Sequence, residues 1–157
     1  MINLYMTSSS GTNKKFLEVL KNVHKGGVVV ITTKPYKSLE SQMKAKGIDP
    51  SGTIFIDTVG KDSLKNVIIS PIDNLTSLSI TISETLNALG DRKKFIVFDS
   101  LTALTLYNSP ETVSKFLIFI MNQFRQWNVD VYMIATEEGM DAKIMSVLKQ
   151  NADKISQ

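Results

Sequence analysis

Phe95-Ile96-Val97-Phe98-Asp99-Ser100 is the most informative segment of the chain: four large apolar residues in a row end abruptly on a carboxylate. A strand with one wet face alternates apolar and polar residues. An unbroken apolar run of this kind belongs instead to a strand covered on both faces, as parallel strands between helices are. The same texture recurs on either side of it, at Ile2 to Met6, Val28 to Thr32, Thr53 to Asp57 and Val131 to Ala135. A shorter run, Val67-Ile68-Ile69-Ser70, stops at Pro71.

Between these runs the apolar residues fall at helical spacing, as in Phe16, Leu17, Leu20 and Val23, in Leu39 and Met43, and in Ile82, Leu86 and Leu89. Start and stop signals agree with that spacing. Thr81 and Glu84 form a capping box, Ser109-Pro110 offers a cap followed by proline at the first helical position, and Asp141 is placed to cap the last helix. Gly26, Gly47 and Gly90 lie where helices are expected to end. The alternation predicts a doubly wound, mainly parallel α/β sheet with helices on both faces, as one domain over residues 1–157. In such a sheet ligands sit beyond the carboxyl ends of the strands, just after Met6, Thr32, Asp57, Phe98 and Ala135.

Composition narrows the function classes. With 18 Lys and Arg against 15 Asp and Glu, the net charge is only +3, and the basic residues are scattered. Lys14-Lys15 and Arg92-Lys93-Lys94 are the only short clusters, which argues against nucleic acid as a partner. The absence of cysteine excludes disulfides, thiolate metal sites and cysteine nucleophiles. No apolar run approaches the roughly 20 residues that span a bilayer, and the N-terminus lacks the layout of a signal peptide, so a cytoplasmic protein without membrane insertion is expected. His24, the sole histidine, falls near the end of the first helix, where an imidazolium suits the helix dipole; one histidine does not make a zinc site.

After the first strand, Ser8-Ser9-Ser10-Gly11-Thr12-Asn13-Lys14-Lys15 leads into a helix near Phe16, the placement of a Walker A loop. The full pattern is Gly, four residues, Gly, Lys, then Ser or Thr, in which backbone N–H groups curl around phosphate and the hydroxyl holds magnesium. Here Ser8 and Asn13 stand for the two glycines and Lys15 for the hydroxyl; Lys14 alone is in its proper place. Asn tolerates positive φ, so the loop can still close, and a helix N-terminus attracts anions whatever its sequence. The candidate nucleotide-binding residues are therefore Ser10, Gly11, Thr12, Asn13, Lys14 and Lys15, against the alternative of a polar connection without ligand. Asp99 has the form of a Walker B carboxylate, whose usual task is to hold magnesium, although an Asp at a strand end more often caps the following turn. Glu137-Glu138 also lie on the ligand edge, and Asp57 is expected to bond locally.

Phe95 to Leu104, with Tyr107 and a helix from about Pro110, closely resembles the Walker B region of KaiC-like ATPases of the RecA superfamily, and the likeness continues through Val131 to Glu138. The resemblance implies a RecA-like P-loop NTPase core, shortened at both ends, with ATP and Mg as candidate ligands, ring-shaped oligomers and an archaeal source. It also implies a glutamate after the second strand that polarises water, where this chain has Thr32-Thr33-Lys34-Pro35. With that carboxylate and the hydroxyl at 15 both absent, the expectation is a pseudo-ATPase, nucleotide-binding or vestigial, acting in regulation or signal transduction through a protein partner or homo-oligomer. The alternatives are a slow Mg-dependent ATPase with a non-standard site, borrowing Thr12, Glu137 or Glu138, and a ligand-free interaction module. In the helix from Glu111 to Trp127, Ile118 and Phe119 fall outside the apolar stripe, through either a wide core face or an interface.

Overall fold

A computed structural model describes residues 1–23 and 26–157; His24 lies outside the described residues. The chain runs β1 (Ile2–Thr7), α1 (Thr12–Asn22), β2 (Val28–Ile31), α2 (Tyr36–Ala45), β3 (Ile54–Asp57), β4 (Val67–Ile69), α3 (Leu75–Ala88), β5 (Phe95–Phe98), α4 (Pro110–Gln126), β6 (Asp130–Thr136), α5 (Ala142–Asn151) and β7 (Lys154–Ser156). Short 3-10 turns cover Ser9–Gly11 and Thr102–Leu106. The strands form one sheet in the order β4-β3-β2-β5-β6-β1-β7, and every neighbouring pair is parallel.

The unalternating strands are explained by two apolar layers. Val28, Val30, Ile96 and Phe98 face one way, against α3, α4 and α5; Val29, Ile31, Phe95 and Val97 face the other, against α1 and α2. All four residues of β2 and all four of β5 are buried. Gly27 lets these two central strands start side by side, since a Cβ there would lie 2.5 Å from the Phe95 ring. Among the described residues no helix is long and apolar enough to cross a membrane.

Three expectations about element boundaries change. The helix after the fourth strand begins at Leu75, capped by the Asn74 side chain, which accepts the Ser77 N–H at 3.0 Å; Thr81 sits in its interior and forms no capping box. The reason is that the buried stripe starts with Leu75 and Leu78, and Leu75 lies about two turns before Ile82. The first helix starts at Thr12 rather than near Phe16. A seventh strand, Lys154–Ser156, pairs with β1, steered there by Asp153, which accepts the Ile2 N–H at 2.7 Å and the Arg125 guanidinium at 3.0 Å. Those two donors, Ile2 first, hold the Asp153 carboxyl below the usual carboxylate range. The caps expected at Ser109 and Asp141 are formed, through Thr112 N–H and through Lys143 and Ile144 N–H.

Gly27→Ala is expected to lower unfolding stability by ~1–3 kcal/mol, because the added methyl has to displace a packed aromatic ring. Urea unfolding of the two proteins checks this, and an unchanged midpoint would contradict the close approach.

Candidate functional site

The carboxyl ends of β1, β2, β5 and β6 bring the sequence candidates to one edge of the sheet. The parallel register sets Phe98 beside Val30 and Met133, so Asp99 emerges next to the end of β2. Asp99 is 2 % exposed. Its Oδ1 accepts the Thr32 N–H at 2.9 Å and lies 2.6 Å from the Thr32 hydroxyl; its Oδ2 accepts the Thr33 N–H at 3.3 Å and the Thr33 hydroxyl at 2.9 Å. A carboxylate offers about four lone-pair sites, and here two donors approach each oxygen.

The Thr32 hydroxyl also lies 2.8 Å from the Ser100 carbonyl. The two acceptors compete for its single proton. Burial pushes the Asp99 carboxyl above the usual carboxylate range, opposed by the side-chain and backbone donors of Thr32 and Thr33.

A second buried carboxylate, Asp57 at the end of β3, accepts Tyr36 N–H at 2.9 Å, Val59 N–H at 2.9 Å and Gly60 N–H at 2.8 Å. It bonds locally, as expected from the sequence, and it supplies the acceptor for the first turn of α2, whose cap position, Pro35, has no side-chain acceptor. Gly60 fits there because a Cβ would meet Asp57 Oδ2 at 2.5 Å.

The connection after β1 is wound rather than wrapped. Gly11 N–H bonds back to Ser8 O at 3.0 Å, Gly11 has φ −93°, and Thr12, Asn13, Lys14 and Lys15 are the first four residues of α1. Among the described residues outside glycine, only Asn128 has positive φ, so no residue of this turn takes the left-handed conformation. Ser10 shares a hydrogen bond with Ser8 at 3.3 Å, and Thr12 with Thr7 at 3.0 Å. Lys14 is exposed at the helix start. Lys15 turns to the flank of the sheet, 3.3 Å from Glu18 and 5.3 Å above the Tyr5 ring. From the end of β6, Glu138 reaches over the turn, and its Oε2 accepts the Ser9 hydroxyl at 2.9 Å; Glu137 pairs with Lys149 at 3.6 Å instead.

Lys34 is a site residue that the motif reading did not single out. Its ammonium donates to Asn13 Oδ1 in α1 and to Gln42 Oε1 in α2, the latter at 3.3 Å. Burial lowers its pKa from the usual lysine value, and the nearby Asp99 charge raises it. The lysine lies three residues beyond the end of β2, and its partners lie 21 positions upstream and 8 downstream; that meeting requires the strand order. Among the described residues no three His, Cys, Asp or Glu side chains gather to hold a metal ion.

Because its folded value is raised, the stability Asp99 contributes is fully present below its ordinary value of 3.8 and is lost as pH rises through the folded value. Relative to Asp99→Asn, which does not titrate, the wild type is expected to lose ground as pH rises above 3.8. A difference in melting temperature that stays flat, or moves the other way, would show that the four donors outweigh burial.

A model of a family described as DUF7504, a family of unknown function, matches residues 13–155. No curated protein matches. A KaiC-like protein of the hyperthermophilic archaeon Pyrococcus horikoshii is similar in structure, with TM-score 0.71 and 17% identity over 98% of this chain and 70% of that one. An uncharacterized protein of the same organism, solved with an unknown peptide, has TM-score 0.67 and 13% identity over 98% and 75%. A third Pyrococcus horikoshii protein has TM-score 0.63 and 13% identity over 98% and 79%. The seven-stranded parallel sheet is a KaiC-like, RecA-type α/β fold.

Proposed function

The chain belongs to the DUF7504 family, and we propose that it is a pseudo-ATPase, a RecA-type domain that does not turn over ATP and works in regulation or signal transduction through protein contacts. The observation that carries this reading is the state of Asp99. A Walker B carboxylate does its work by offering lone pairs toward a hydrated magnesium ion, whereas here those lone pairs point into Thr32 and Thr33.

Other features support it. The turn at Ser9–Gly11 is helical, so its amides do not curl inward around an anion as a phosphate-binding nest does. Position 15 has a lysine that faces Tyr5 and Glu18 rather than a metal-binding hydroxyl. The segment after β2 ends in Thr32-Thr33-Lys34, with no carboxylate to polarise water. Glu138 brings a negative charge over the turn where phosphates would lie. These residues do not fit ATP held with magnesium in the RecA manner, and no hydrolytic step is assigned to them. Loss of a charge-stabilising contact alone costs about a hundredfold to a thousandfold in rate.

A role in protein contacts is supported by the outer surface of α3 and α4, where Ile80, Ile118 and Phe119 are 53, 45 and 50 % exposed. On α4 the apolar stripe is buried, and Ile118 and Phe119 lie outside it. A cytoplasmic setting accords with the absence of cysteine, and an archaeal origin with the source of the similar structures.

The test is ATP turnover at millimolar Mg·ATP by the wild type and by Lys14→Ala. Equal rates at the level of buffer are expected. Hydrolysis by the wild type that the substitution abolishes would establish a working ATPase and overturn the reading.

A further inference from the structure

Lys34 is launched from a segment that is fixed on both sides. The residue before it, Thr33, is tied by its N–H and its hydroxyl to Asp99, and two residues later the Tyr36 N–H is tied to Asp57. Pro35, between them, restricts the backbone further. The backbone at Lys34 is therefore held, and the side chain ends between the first turn of α1 and the body of α2, on Asn13 and Gln42. Both acceptors are neutral amide carbonyls, which satisfy an ammonium without cancelling its charge.

We propose that Lys34 is a built-in cation that occupies this edge of the sheet in place of a bound metal ion, joining α1 to α2 so that the site is assembled without any ligand. An ammonium carries a single charge and three donors, demands no coordination geometry and cannot dissociate from the chain. The neighbour of Lys34, Thr33, is bound to Asp99, and the Asp99 charge raises the Lys34 pKa against the effect of burial. A divalent cation approaching Asp99 meets this like charge as well as a carboxylate whose acceptor sites are already used. Asn13, the position a phosphate loop gives to its second glycine, has its side-chain oxygen committed to the same lysine. The inference deepens the pseudo-ATPase reading, and its test needs no turnover measurement, so the two can fail separately.

The experiment compares thermal unfolding of the wild type, Lys34→Met, Asn13→Ala and the double variant, each in EDTA and in millimolar Mg·ATP. Lys34→Met keeps the length of the side chain and removes charge and donors. It is expected to melt about 4 °C or more below the wild type in EDTA, the loss of charge-assisted hydrogen bonds in a chain of this size. Mg·ATP is expected to leave the wild-type melt where it is and to restore nothing in the variant. Adding Asn13→Ala to Lys34→Met is expected to cost less than Asn13→Ala costs alone, because the two residues share one bond. Equal melting of wild type and Lys34→Met in EDTA would overturn the proposal, as would strictly additive effects. So would a rise of the wild-type melt with Mg·ATP; if Lys34→Met abolished that rise, Lys34 would be a nucleotide ligand instead.

Discussion

A carboxylate delivered to the end of a buried central strand has to be satisfied, and the rest of the structure depends on how Asp99 meets that requirement. Left without partners in an apolar setting it would cost several kcal/mol. The donors come from the chain itself, from Thr32 and Thr33 at the end of the adjacent strand. One strand further on, Asp57 repeats the device with three backbone N–H groups. Because β2 lies between β5 and β3, the segment from Thr32 to Tyr36 is held from both sides, at its start by Asp99 and at its end by Asp57. Two strand-end carboxylates thus serve as organisers of one connection.

That arrangement bears directly on function. In a doubly wound sheet this edge is the one open to ligands, and its value for catalysis lies in groups held ready for charge that arrives with the substrate. Here the ready groups face one another. The β1–α1 connection is wound into a helical turn, Glu138 leans over it, and Lys34 bridges the two helices on that face. The polar groups of this edge are thus matched to one another within the chain. The exposed Ile80, Ile118 and Phe119 lie on the opposite side of the sheet, on α3 and α4, away from this edge.

The fold was legible in the sequence because buried parallel strands leave an unmistakable texture: Phe95 to Phe98, Val28 to Ile31 and Val131 to Ala135 have no polar residue on either face. Helix starts were legible where the cap is a single side chain, at Ser109 and Asp141. They were misread where two signals compete, since Thr81 and Glu84 spell a capping box inside a helix that Asn74 already caps. β7 escaped notice because three residues carry no period and its placement comes from Asp153 meeting Ile2 across the whole chain. For the site, the strand-end position of Asp99 was readable, but its orientation was not, because the donors that claim it belong to a strand 67 residues away. Lys34 shows the same limit, since nothing in Thr32-Thr33-Lys34-Pro35 announces that the lysine will meet Asn13.

Whether Asp99 is open to a metal ion is read by titrating the isotope-labelled protein with Mn2+ and following the amide signals of Thr32, Thr33, Asp99 and Ser100. If the Asp99 acceptor sites are spent on the two threonines, these signals broaden no more than those of surface carboxylates elsewhere, and Mg2+ does not change the pattern. Selective broadening of this group at low Mn2+, reversed by Mg2+, would place a metal ion at Asp99 and contradict the account.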